Sequence, residues 1–173
     1  EPVVQGDGDG ARMLAATLAW EVACAGADRD RSVELARFAL ADDRLFEVDS
    51  GLFWVVAANA RMVADDDLGD FWERARAQAH ARGSLFTALS VNLWQGLWQW
   101  RRGELADAVA CFEAMLEQER MWGGSGTGRS YALAFLVGAH IDRGDLDAAR
   151  ATAELALAEQ PGGEGGRLVR HAV

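Results

Sequence analysis

A four-residue phrase that returns after forty-one residues constrains this chain more than any other feature: Arg102-Gly103-Glu104-Leu105 comes back as Arg143-Gly144-Asp145-Leu146. In each copy arginine stands where one helix ends and its negative pole favours a cation. Glycine supplies a left-handed stop, an acid opens the next helix at its positive pole, and leucine can pack back. The phrase therefore spells helix, tight turn, helix. A weaker copy, Asp67-Leu68-Gly69-Asp70, lies upstream, with thirty-seven residues from Leu68 to Leu105, and a further step back reaches Asp30 after a break at Gly26 to Asp28. Repetition with a period near 37 to 41 residues marks supersecondary units that bury their apolar sides only by stacking.

Composition says which unit. Thirty-three alanines and nineteen leucines stand against one isoleucine and four threonines; alanine and leucine lose least on entering a helix, so strands have little support. Leu85, Leu89, Leu93, Leu97 and Trp100 recur at steps of three and four, as do Leu105, Val109, Phe112 and Leu116, and each set draws one apolar stripe along a helix. The chain reads as all-α, a stack of about four antiparallel helix pairs. These are Ala11 to Ala25 with Asp30 to Ala41, Gly51 to Ala64 with Leu68 to Ala81, Ser84 to Arg101 with Glu104 to Met121, and Ser130 to Arg143 with Asp145 to Glu159. Residues 1–10 read as a linker or disordered head and 11–160 as the helical-repeat domain. Residues 161–173 read as a linker, Pro161 to Gly166, and the start of a further helix at Arg167 to Val173.

The charge pattern excludes several functions. All 17 basic residues are arginine against 27 acids, a net charge of −10, which disfavours a nucleic-acid or anionic-membrane surface. Without lysine there is no lysine-bearing phosphate loop and no Schiff-base chemistry. Half the residues are apolar, yet no run reaches the roughly 18 needed to span a bilayer. Cys24 and Cys111 lack metal or redox spacing and read as buried, reduced thiols. The chain opens with Glu1 and shows no signal pattern, so it reads as a segment of a cytoplasmic protein.

Gly96, Gly103, Ala108, Phe112 and Met115, and again Gly144, Ala149, Ala153, Ala156 and Pro161, fall at spacings that resemble the tetratricopeptide motif. That resemblance implies a right-handed superhelix of helix pairs. Asn92 and Gln99 stand where the motif prefers a large aromatic, the period exceeds the usual 34, and the first two pairs match poorly. More narrowly, the stretch from Ala81 to Glu159 is similar to the helical-repeat region of large ATP-dependent LuxR-type (MalT-like) transcriptional regulators of high-GC actinobacteria. The similarity is carried by Ala81-Arg82-Gly83-Ser84-Leu85-Phe86, Leu93-Trp94-Gln95-Gly96, Arg101-Arg102-Gly103-Glu104-Leu105 and Tyr131-Ala132-Leu133-Ala134-Phe135-Leu136 before Arg143-Gly144-Asp145-Leu146-Asp147-Ala148-Ala149. In that family a nucleotide-binding module precedes the repeats and a helix-turn-helix follows them, and the repeat region is taken to sense an inducer or a partner protein. The resemblance covers only the middle part, so ATP hydrolysis and DNA binding are expected elsewhere in the parent.

Candidate chemistry within the segment is sparse. Gly123-Gly124-Ser125-Gly126-Thr127-Gly128 follows a helix rather than a strand and lacks lysine, so it reads as a connection that folds over a groove rather than a phosphate loop. His80, His140 and His171 have no metal or catalytic spacing, and Asp42-Asp43 and Asp65-Asp66-Asp67 sit at helix breaks as solvated turns. Asp7-Gly8-Asp9-Gly10 lacks the later glutamate of a calcium loop. The expectation is a non-enzyme with no cofactor, no metal and no catalytic residue.

Seven tryptophans are many for this length. Trp94 and Trp98 share a helical face, whereas Trp100 lies about 200° around from Trp98, so the three cannot line one surface. In a tetratricopeptide-like stack the first helix of each pair lines the concave side. That register places Phe53 and Val56 there, with Leu93, Leu97, Trp100, Arg101, Tyr131 and Ala134. Asn59 and Asn92 sit mid-helix among apolar neighbours and read as satisfied amides or groove contacts. Arg61, Arg101 and Arg102 read as helix-end cations able to bind a carboxylate or phosphate. The leading expectation is a sensor or protein-interaction module that binds a small-molecule inducer or a protein partner in its groove, with possible self-association. The second is a stand-alone adaptor that binds a peptide or scaffolds a complex.

Overall fold

The computed structural model describes residues 4–48, 51–122 and 127–158, and among these every regular element is a helix and none is a strand. In chain order the helices are α1 (Asp9–Ala25), α2 (Arg29–Leu40), α3 (Arg44–Val48), α4 (Leu52–Val63), α5 (Phe71–Arg82), α6 (Leu85–Arg101), α7 (Leu105–Trp122), α8 (Thr127–Arg143) and α9 (Leu146–Ala158). The chain divides into two units, residues 1–87 and 88–173, the division falling in the first turn of α6. The eight helices expected from periodicity are present within a few residues of their expected ends. The stretch expected as a further helix from Arg167 lies outside the described residues.

The repeated turn is a specific hydrogen-bonded stop. After α6, the Gly103 N–H donates to Trp100 O and the Glu104 N–H to Gln99 O, both at 2.9 Å; after α8, Gly144 donates to Ile141 O and Asp145 to His140 O, again both at 2.9 Å. Both glycines have φ of 79°. These paired bonds satisfy carbonyls that the helix itself leaves open. The same pattern closes α1 at Gly26 (φ 61°), α4 at Asp65 (φ 54°) and α5 at Gly83 (φ 60°). The stops that end the first helix of each expected pair, residues 26, 65, 103 and 144, are spaced by 39, 38 and 41, and Gly83 ends the second helix of the second pair. Gly69, which the sequence suggested as the second copy's stop, lies four residues later in the loop, where its N–H bonds Asp67 Oδ1 at 3.0 Å. The true stop is a non-glycine residue, which is why the copy looked weak.

An element absent from the sequence reading joins the first two pairs. Asp42 and Asp43 both adopt left-handed backbone (φ 60° and 57°) within a short 3-10 turn, Ala41–Asp43. The turn delivers α3, which buries Leu45 and Phe46. Phe46 meets Trp54 (5.3 Å between centroids) and Phe71 (5.6 Å), and Phe71 meets Trp72 at 5.1 Å, forming the aromatic centre of the first unit. In that unit α1 and α2 pack on each other and both pack on α4. The seam is lined by Ala15, Ala16, Ala19, Ala36, Ala57 and Ala58, all without accessible surface, so the backbones approach closely.

The ends of these helices are tied by arginine. The buried Arg12 donates to Phe38 O at 2.8 Å and Ala41 O at 2.7 Å, and Arg29 donates to Ala64 O at 2.7 Å. Asp66 takes Arg37 at 2.5 Å and Arg61 at 2.6 Å. Burial pushes the Asp66 carboxyl up, but the hydrogen bonds from Arg37 and Arg61 and their charges outweigh it, and the net direction is down. The triple-aspartate run, expected as a solvated turn, is therefore in part a clamp.

In the second unit α7 packs on α8 and α8 on α9. Its core gathers Leu93, Val109, Phe112, Met115, Ala132 and Leu136 from α6, α7 and α8. Burying a ring such as Phe112 stabilises by about 1.5–3 kcal/mol. Phe112 seats against Gly96, where an added Cβ would stand 2.7 Å from Cε1 of the ring.

Candidate functional site: an aromatic face on α6 and α8

Trp94, Leu97 and Trp100 recur every three residues on α6, and Tyr131, Phe135, Gly138 and Asp142 at steps of three and four on α8. Each series forms one stripe, and the two stripes meet. Trp94 lies 6.4 Å from Tyr131, Tyr131 5.9 Å from Phe135, and Phe135 6.1 Å from Trp100, centroid to centroid. Phe135 also reaches inward to Phe112 at 5.9 Å. The rings are tilted to one another by 43–49°, between stacked and edge-on. All four rings are half-buried and pack against the core of the second unit.

A polar contact fixes the Trp100 end of the series. Trp100 Nε1 donates to Asp142 Oδ2 at 2.6 Å, and the indole lies over Gly138, the position on α8 that leaves it room. Elsewhere on α6, about 200° around from Trp94, the buried Asn92 donates from Nδ2 to Gln118 Oε1 at 3.1 Å. Nearby in sequence, the buried Glu119 meets Arg129 at 3.5 Å across α7 and α8. No described group of His, Cys, Asp and Glu is arranged to hold a metal ion.

The residues expected at a groove divide between the two units. In the second, Trp100 and Tyr131 belong to the ring series, Leu97 is half-buried beside them, Leu93 and Ala134 are core, and Arg101 is exposed. Asn92 is the satisfied amide just described. In the first, Phe53 and Val56 are half-buried on α4. Asn59 is buried at 6 % exposure, and its Oδ1 accepts no hydrogen bond among the described residues. Arg61 is occupied by Asp66 and by the Asp67 carbonyl, and Arg102 lies over the Trp98 ring at 4.8 Å.

Sequence reasoning missed Phe135, Gln118, Glu119 and Arg129 as site residues. Phe135 had a legible signal, one turn beyond Tyr131 on the same stripe. The α7 residues had none, because their partners lie on other helices. Cys24, expected to be buried, is exposed, and Cys111 is half-buried. Gly123 to Gly126 and His171 lie outside the described residues. Among those residues no helix is long and apolar enough to cross a membrane. In comparison with protein-family models, with curated proteins and with solved structures, the chain finds no match in any of the three.

Proposed function

We propose that this chain is a non-catalytic sensor and protein-interaction module of a cytoplasmic LuxR-type transcriptional regulator. Its helix pairs stack as a right-handed, tetratricopeptide-like superhelix, and the α6–α8 face takes an inducer or partner. The similarity of Ala81 to Glu159 to such regulators supports this, as do the near-constant steps between the hydrogen-bonded stops that end the first helix of each pair. So does the packing of α1 and α2 on α4, the first helix of the next pair.

One observation carries the site: Trp94, Tyr131, Phe135 and Trp100 form an unbroken, half-open series of rings on the first helices of two successive pairs. Half-open rings keep apolar and π surface for a ligand, the usual lining of a binding surface. The chain's acid surplus favours neutral or cationic occupants over nucleotides. Occupancy would signal only through a difference in affinity between two arrangements of the array.

Titrating neutral and cationic metabolites and peptides against tryptophan emission tests this. Saturable quenching is expected, lost in Trp94→Ala and Tyr131→Ala variants whose circular dichroism is unchanged. Binding that survives both substitutions would overturn the assignment of the face. Reading the parent frame tests the regulator: a nucleotide-binding module upstream and a helix-turn-helix downstream are expected, and neither being present points to an adaptor.

A further inference from the structure

We propose that the first unit holds a site for a small zwitterion with an aliphatic side chain, an apolar α-amino acid, in a cavity at the closing ends of α1 and α4. The site is separate from the α6–α8 face and stands whether or not that face binds anything. The cavity measures about 410 Å³, within the roughly 300–1,000 Å³ of small-molecule sites. It lies about 25 Å along the 17-residue α1 from the end by which the chain enters that helix. Its walls belong to α1, α2 and α4, which pack on one another. Along most of that seam, alanines without accessible surface bring the three helices together. Towards the closing ends the series changes to Val22 and Ala23 on α1 and to Val63 at the end of α4, and these line the space left between them. Ser32, fully buried and bonded through its hydroxyl to Ala19 O at 2.9 Å, closes the inner side.

Charge selects the occupant. Arg29 and Asp65 line the cavity, one charge of each sign beside an aliphatic wall. Arg29 is held in place by the end of α4, its Nε donating to Ala64 O at 2.7 Å and its Nη2 to Asp65 O at 3.4 Å. Its Nη1 meets Asp30 Oδ1 at 3.4 Å, with the two side chains 59 % and 94 % exposed. So exposed a contact is too weak to keep the guanidinium from a better-placed carboxylate. A simple anion would meet Asp65 as well as Arg29, and a simple cation would meet Arg29 as well as Asp65. A ligand carrying both charges on one carbon satisfies the pair, its carboxylate on Arg29 and its ammonium on Asp65, while its side chain lies against Val22 and Val63. Such a ligand is neutral overall, so the chain's net charge of −10 does not repel it. A molecule of that size binds with a Kd of about 0.1–1 mM.

Calorimetric titration of the full chain with L-leucine reads the site directly, and saturable binding in that range is expected. 3-Methylbutylamine, which lacks the carboxylate, and 4-methylpentanoate, which lacks the amine, should each bind about tenfold or more weakly than leucine. Arg29→Gln leaves a donor for Ala64 O and removes the charge; Asp65→Gly keeps the left-handed stop and removes the carboxylate. Each should weaken leucine by about tenfold or more with helicity unchanged. Trp94→Ala, in the second unit, should leave leucine binding as it is. No saturable binding of leucine overturns the proposal. So do analogues that bind as well as leucine, binding indifferent to both Arg29→Gln and Asp65→Gly, or binding lost in Trp94→Ala.

Discussion

Replacing Gly138 by alanine tests whether the indole of Trp100 sets the α6–α8 face. Gly138 lies inside α8, and an added Cβ would stand 2.5 Å from Trp100 Cζ2, well inside the roughly 3.5–4.0 Å of ordinary carbon contact. The indole yields only by disturbing its 2.6 Å bond to Asp142 and its contact with Phe135. Two effects of opposite sign compete. Alanine for glycine in a helix interior gains about 1 kcal/mol, and overpacking costs about 1–3 kcal/mol. Taking about 2 for the second, Gly138→Ala destabilises by about 1 kcal/mol, a drop in Tm of about 2–4 °C for a chain of this size. In a Trp100→Leu background the obstructing ring is gone, only the helix gain remains, and the same substitution stabilises by about 1 kcal/mol. The cycle therefore carries a coupling of about 2 kcal/mol. Urea unfolding of the four proteins, followed by far-ultraviolet circular dichroism, measures it. An equal gain from Gly138→Ala in both backgrounds would refute the placement of the ring.

Asp65→Gly should stabilise the first unit by about 0.5–1 kcal/mol, because the left-handed conformation costs an L-residue about 1–2 kcal/mol and glycine returns part of that as unfolded-chain entropy; thermal unfolding measures it, and a loss would count against the stop at this residue. Gly103→Ala and Gly144→Ala should each lose about 1 kcal/mol for the converse reason, and a change confined to one would break the equivalence of the two turns. Asp66→Asn should cost about 1–3 kcal/mol at neutral pH, since it takes a charged acceptor from Arg37 and Arg61. The Asp66 carboxyl titrates below its unfolded value of about 3.9. Its contribution is therefore full above that value and fades as pH falls through the lower, folded one. Urea midpoints measured between neutral and acid pH should show that part of the wild-type decline missing in Asp66→Asn.

The helix pairs were legible because each carries its own local code: an apolar stripe at helical spacing, then a stop with charges matched to the two poles. What escaped is what local code does not hold. The stop at Asp65 hid because the left-handed residue is not glycine, and the nearby Gly69 drew the alignment four residues late. Helix α3 hid because five residues are too few for periodicity, and Asp42-Asp43 read as an ordinary solvated turn. At the site, Trp100 and Tyr131 stood out as stripe members. Leu93 did not declare itself as core, because α6 is apolar on more than one side. Asn92 was legible as a buried amide, but its partner Gln118 belongs to α7, and such pairing is settled only by packing.

The two units meet the same demand with different side chains, and the difference bears on where binding resides. The first unit lines the seam of α1, α2 and α4 with alanines that have no accessible surface, beside the aromatic centre of Phe46, Trp54 and Phe71. The second draws α6 and α8 together with rings that remain half open. A ring that is mostly buried still supplies most of the roughly 1.5–3 kcal/mol of full burial, so the rings serve the core of the second unit as the alanines serve the first. The rings also need two accommodations that alanine does not: the bare Cα of Gly138 beneath Trp100 and the acceptor Asp142 at its nitrogen. Rings that demand dedicated neighbours and keep part of their surface accessible are the feature on which the proposed binding surface is placed on α6 and α8 rather than on α4.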